Sequence, residues 1–98
     1  MTTIRSPAVA GLFYPADEHQ LRQDVQFLLE KADRHDLKPK ALIVPHAGYQ
    51  YSGAIAATAY ASLRVAAANI KRVVLLGPAH RVAMQGLALP GVDVFTTP

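Results

Sequence analysis

The chain has 98 residues, 51% of them apolar, with ten basic and seven acidic side chains, a formal charge of +3 and no cysteine. That length allows one small domain or a piece of a larger one, and the lack of cysteine excludes a disulfide framework and thiolate metal ligands within it. No apolar run approaches the ~20 residues that span a bilayer, the opening residues lack the pattern of a secretory leader, and the basic residues are scattered instead of forming the stripe that nucleic acid requires. The composition therefore leads us to expect a soluble, cytoplasmic chain with no nucleic-acid and no membrane partner.

The opening "RSPAVAGLFYPADE" is broken by Pro7, Gly11 and Pro15, which predicts a loop or short extended segments laid across other elements. "DEHQLRQDVQFLLEKADRH" then reads as an amphipathic helix. Asp17 is its N-cap and Gln20 completes a capping-box pattern. Leu21, Val25, Leu28, Leu29 and Ala32 share one face at helical spacing.

"ALIV", residues 41–44, is a short run without alternation, the pattern of a strand covered on both faces of a parallel sheet. The alanine-rich "SGAIAATAYASLRVAAAN" comes next and reads as a helix capped by Ser52 and apolar nearly all round, so buried on more than one side. "RVVLL", residues 72–76, is expected as a second buried strand, and "AMQGLALPGVDVFTTP" as one or two short extended segments parted by Pro90-Gly91. Strand, helix and strand in this order make a βαβ unit. The fold class is therefore α/β, a mainly parallel sheet flanked by helices, here an incomplete N-terminal part of a larger domain.

Parallel strands bring their carboxyl ends to one edge of the sheet, where α/β proteins build their sites. His46 lies two residues past the first expected strand and His80 four past the second. Two imidazoles there can converge on one metal ion, a two-histidine half-site. Against this stands the plainer reading that each is a loop residue after a strand. The loop of His46 also feeds a helix start, so free N–H groups around Ser52 to Ala54, Gly53 among them, are expected to seat an anionic substrate group. Tyr49 and Tyr51 offer a phenolic hydrogen bond or a stacking wall, or else serve packing. His19 and His35 are expected in solvent, and Ser52 has no base beside it in sequence that would make it a nucleophile.

"PHAGYQYSG", "LLGPAH" and "DVFTTP", together with the opening "RSPAVAGLFYP", closely resemble the Memo-like family, whose bacterial and archaeal members are often called AmmeMemoRadiSam system protein B. That family is similar in fold to the catalytic subunit of class III extradiol dioxygenases, which are non-haem iron enzymes. The resemblance implies that His46 and His80 hold a divalent transition metal, iron first, with copper or zinc as alternatives. It implies that Tyr51 stands at the catalytic centre, and that Phe13 occupies a position where members often carry tryptophan beside the pocket. Arg81 stands where some members have a second histidine. Family members are more than twice as long, and their further ligands lie beyond the matched residues, so the chain is expected to be an N-terminal fragment.

Two functions emerge as expectations. One is a dioxygenase-like oxidoreductase acting on a small aromatic or anionic molecule, with substrate-pocket residues Phe13, Tyr49, Ser52 and Gly53, the fragment alone being expected to be inactive. The other is a non-catalytic protein that binds a small molecule or anionic peptide over a vestigial metal site. In either case an open sheet edge calls for cover, from a homo-oligomer or from the rest of a longer chain.

Overall fold

The computed structural model describes residues 1–35 and 37–98. Its elements are β1 (Ile4–Arg5), α1 (Glu18–Lys31), α2 (Tyr49–Ala61), a 3₁₀ turn (Ala67–Asn69) and β2 (Val94–Phe95). β1 and β2 pair in parallel, Ile4 opposite Val94 and Arg5 opposite Phe95. The class is α/β: two helices and a two-stranded parallel sheet, consistent with part of a larger α/β domain.

α1 starts where its chemistry dictates. Asp17 has extended backbone, and its carboxylate accepts from the Gln20 N–H at 2.9 Å, satisfying one of the helix's orphan donors. Gln20 does not complete the capping box; its side-chain amide donates instead to Asp24 Oδ1 at 2.7 Å. The helix ends at Lys31, where Ala32 turns to ψ 141°, which leaves His35 in the loop after it. Its apolar face of Leu21, Val25, Leu28, Leu29 and Ala32 is half-buried.

α2 begins at Tyr49, earlier than expected, with Gly48 as N-cap and no side-chain cap bond. Ser52 is therefore a residue of the first turn and not the cap. Gly53, Ala57 and Ala61 recur at intervals of one turn and are buried. A Cβ on Gly53 would stand 3.0 Å from Leu28 Cδ1, so glycine lets α2 approach α1 closely. The helix is not buried all round: Ile55 on its other side is 65% exposed. Among the described residues the buried apolar side chains are Ala57 and Ala61, and the α1–α2 seam is the core.

Two expected strands are not formed. Residues 41–44 and 72–76 belong to no strand, and the backbone of residues 71–92 makes no hydrogen bond to other described backbone. Nor are they buried: Ile43 is 100% exposed, and Val73, Val74, Leu75 and Leu76 lie between 74% and 85%. A strand of this composition is stabilised by neighbours on both edges and cover on both faces; the described residues supply no neighbouring strand, and cover only in part, at the half-buried Leu42 and Val44. The parallel pairing comes from the short extended segments at the two ends of the chain instead.

Those ends are fastened by side chains as well as by the ladder. Asp93 Oδ2 accepts from the Thr3 N–H at 2.9 Å and from the Thr3 hydroxyl at 3.0 Å, while the Asp93 N–H donates back to Thr3 O at 3.0 Å. The two bonds from Thr3 hold the Asp93 carboxyl below its ordinary range, the backbone donor contributing most.

Candidate functional site

The imidazole rings of His46 and His80 stand together, their centroids 5.2 Å apart and their planes inclined at 44°. Both side chains are exposed. The convergence expected from two strand ends thus occurs without the strands.

His46 is held in place by the start of α2. Ser52 is buried, and its hydroxyl donates to Ala47 O at 2.7 Å. The N–H groups of Tyr51 and Ser52 both donate to Gly48 O, at 2.9 and 3.0 Å. A second brace comes from the N-terminal segment. The Gly11 N–H donates to Tyr14 O at 2.7 Å, and Leu12 and Phe13 both donate to Val9 O at 3.0 Å. Gly11 adopts φ 81°, a conformation costly for any residue with a side chain. This tight turn presents Phe13 O to the Tyr49 N–H at 2.8 Å, which pins the start of α2.

These bonds correct one expectation. The Ser52 N–H is engaged by Gly48 inside the first turn and is not a free donor for an anion. Sequence reasoning misses the turn that pins α2, and it misses Ser52 as a fastener of the loop after His46. The glycine in "AGLFYP" is the available signal for the turn.

The other candidates have distinct surroundings. Phe13 and Tyr51 flank Gly48: a Cβ on that glycine would meet Phe13 backbone at 3.6 Å and the Tyr51 ring at 3.9 Å. Tyr51 is 78% exposed and Phe13 47%. Tyr49 stacks against Tyr14 with centroids 5.8 Å apart, and burial, then the nearby Tyr14 and Tyr60, push its phenol above the usual value of 10.0. Gly53 faces Leu28. His19 and His35 are exposed, as expected.

Among the described residues no cluster of three or more His, Cys, Asp or Glu side chains is placed to hold a metal. The pair therefore offers two donors. Metal–nitrogen bonds of ~2.1 Å at an ordinary ligand–metal–ligand angle put two imidazole centroids on the order of 5 Å apart, which the observed 5.2 Å matches. Two imidazoles are donors of the type that transition metals take, and they leave most of an iron shell to other ligands. Two cavities lie apart from it: one of about 310 Å³ beside Arg5, Tyr14 and Phe95, and one of about 490 Å³ between the run of Ala41, Leu42 and Ile43 and the side of α2 that carries Ile55 and Ala59. No helix among the described residues is long and apolar enough to cross a membrane.

Comparison with known proteins bears on the chain's family. Residues 5–98 match the family model described as Memo-like protein. A MEMO1 family protein of Aquifex aeolicus is 39% identical over 95 residues, covering 97% of this chain and 34% of that protein. Protein MEMO1 of Xenopus tropicalis is 39% identical over 94 residues, covering 96% of this chain and 31% of its own. A MEMO1 family protein of Pyrobaculum arsenaticum is 36% identical over 107 residues, covering 97% and 36%. The chain thus spans about a third of the length of the curated relatives it matches. No solved structure matches it.

Proposed function

The chain belongs to the Memo-like family, and from that premise we propose that His46 and His80 are two ligands of a transition-metal site resembling that of a non-haem iron dioxygenase. The observation that carries this reading is the juxtaposition of the two rings at 5.2 Å. Both rings are exposed, so neither is committed to packing and both are accessible to an ion from solvent.

His46 and His80 would donate ring nitrogens to the metal, and further ligands would come from outside the described set. A metal bound there would supply Lewis-acid and redox chemistry at open coordination positions. The work of the chain is to bind and to orient. Ser52 and Phe13 O fix the loop that carries His46. Tyr51, exposed on the first turn of α2, is available to donate its phenolic proton to an oxygen of a small-molecule substrate. Tyr49, packed on Tyr14, and Phe13, whose carbonyl receives the Tyr49 N–H, are the residues that would line a substrate pocket beside that turn.

Calorimetric titration with Fe(II), Cu(II) and Zn(II) tests the reading. One ion per chain, lost in both His46→Ala and His80→Ala while the fold persists, supports it; uptake that either substitution leaves unchanged removes it. Oxygen consumption with a catechol by a metal-loaded full-length relative would support the oxidoreductase role. Ligand binding to metal-free protein, unaffected by metal, would favour the non-catalytic role instead.

A further inference from the structure

The turn from Val9 to Tyr14 grips the start of α2 twice, once through main chain and once through a ring. Phe13 O accepts the Tyr49 N–H at 2.8 Å. The Tyr14 ring lies against the Tyr49 ring, with centroids 5.8 Å apart and planes inclined at 41°. Tilted aromatic pairs at such a separation attract beyond the area they cover. Tyr14 is half-buried although it belongs to neither helix and to neither strand of the ladder.

The turn can transmit this grip because its own hydrogen bonds close it. The Gly11 N–H donates to Tyr14 O, the Leu12 and Phe13 N–H groups donate to Val9 O, and Ala10 and Tyr14 are bridged. From Tyr49 the path to the histidine pair is short. Tyr49 is the first residue of α2, Gly48 is its cap, and Ala47 O takes the Ser52 hydroxyl. His46 comes immediately before Ala47. Its loop is thus held from the helix side by Ser52 and from the opposite side by the turn.

We infer that Tyr14 is a positioning residue for the His46–His80 pair, acting through its ring stack on Tyr49. The stack fixes how the chain enters α2, and that entry sets where the His46 ring stands relative to the His80 ring. The contribution belongs to the ring face, so phenylalanine should replace tyrosine and a small side chain should not. The effect on a bound metal rests on the proposed metal site; the effect on the separation of the two rings does not.

NMR of the 98-residue chain tests the inference through the nuclear Overhauser cross-peak between the ring protons of His46 and His80, with Zn(II) titration as a second reading. In Tyr14→Phe the cross-peak and the Zn(II) affinity should match those of the unaltered chain. In Tyr14→Ala the cross-peak should vanish and the affinity should fall by about 10-fold, as when a supporting contact is lost. The amides of Ala57 and Ala61, in the α1–α2 seam, should exchange as before. A cross-peak retained in Tyr14→Ala overturns the inference. So does a cross-peak lost together with faster exchange throughout the seam, since Tyr14 would then serve the fold at large. Should Tyr14→Ala fail to fold, Tyr14→Leu keeps the bulk without the stack, and loss or retention of its cross-peak decides the same point. An unaltered chain that shows the cross-peak but takes up no Zn(II) removes the metal reading, and the cross-peak in the variants then decides the positioning role by itself.

Discussion

The ring of His46 lies 5.2 Å from that of His80. The first belongs to the loop that enters α2, and the second to a stretch beyond the 3₁₀ turn, so α2 and its sequel act as the spacer that returns the chain to its own site. The relationship depends on how firmly the entry to α2 is held.

Ser52 is the residue through which that hold can be measured. Its buried hydroxyl satisfies Ala47 O. Ser52→Ala should cost about 1 kcal/mol, the usual consequence of stranding a partly buried acceptor. Because it loosens the loop without touching a ligand, metal affinity should fall by about 10-fold, the low end for losing a supporting contact. Thermal melting and metal titration of the same variant check both numbers.

The α1–α2 seam gives a second prediction. A Cβ on Gly53 would sit 3.0 Å from Leu28 Cδ1, the end of a flexible side chain. Gly53→Ala should be nearly neutral, because a small shift of Leu28 is offset by the ~1 kcal/mol that alanine gains over glycine inside a helix. Gly53→Leu should destabilise by about 1–3 kcal/mol through overpacking, and Leu28→Ala in the same chain should recover part of it. Denaturant unfolding of the two single variants and the double variant supplies the cycle.

The clasp between the chain ends predicts a pH effect. The Asp93 carboxyl is held below its ordinary value by the bonds from Thr3. A depressed folded-state value means that the stabilisation is present above the unfolded value of ~3.9 and is lost as pH falls through the folded one. Exchange of the Thr3 amide should therefore accelerate below about pH 4 beyond its intrinsic rate. Asp93→Ala should abolish that dependence, leaving Thr3 unprotected at every pH.

How much of this is legible in the sequence differs by element. Asp17 and Gln20 mark the start of α1 because a cap is a local contract between neighbours, readable from two residue types at fixed spacing. The convergence of His46 and His80 is legible because each comes after an apolar run that leads toward the same place. The runs themselves mislead. Val73, Val74, Leu75 and Leu76 carry the composition of a buried strand, but ladder bonds and cover come from other segments, and composition is silent on whether those are present. Ser52 resembles a cap because caps and first-turn fasteners use the same side chain; the choice is made by Gly48, which takes the cap with backbone alone. The brace from Phe13 O to the Tyr49 N–H runs through main chain, which leaves no mark on the residue types involved.

The shared metal is the claim on which the site depends, and NMR of the four imidazoles tests it most directly, with His19 and His35 as internal references. On addition of one equivalent of Zn(II), the ring resonances of His46 and His80 should shift together and saturate together, with those of His19 and His35 unmoved. Either His46→Ala or His80→Ala should weaken the response of the remaining ring by more than the ~10–100-fold that loss of a supporting contact costs. A response from one ring of the pair without the other, or an equal response from all four, would contradict the account.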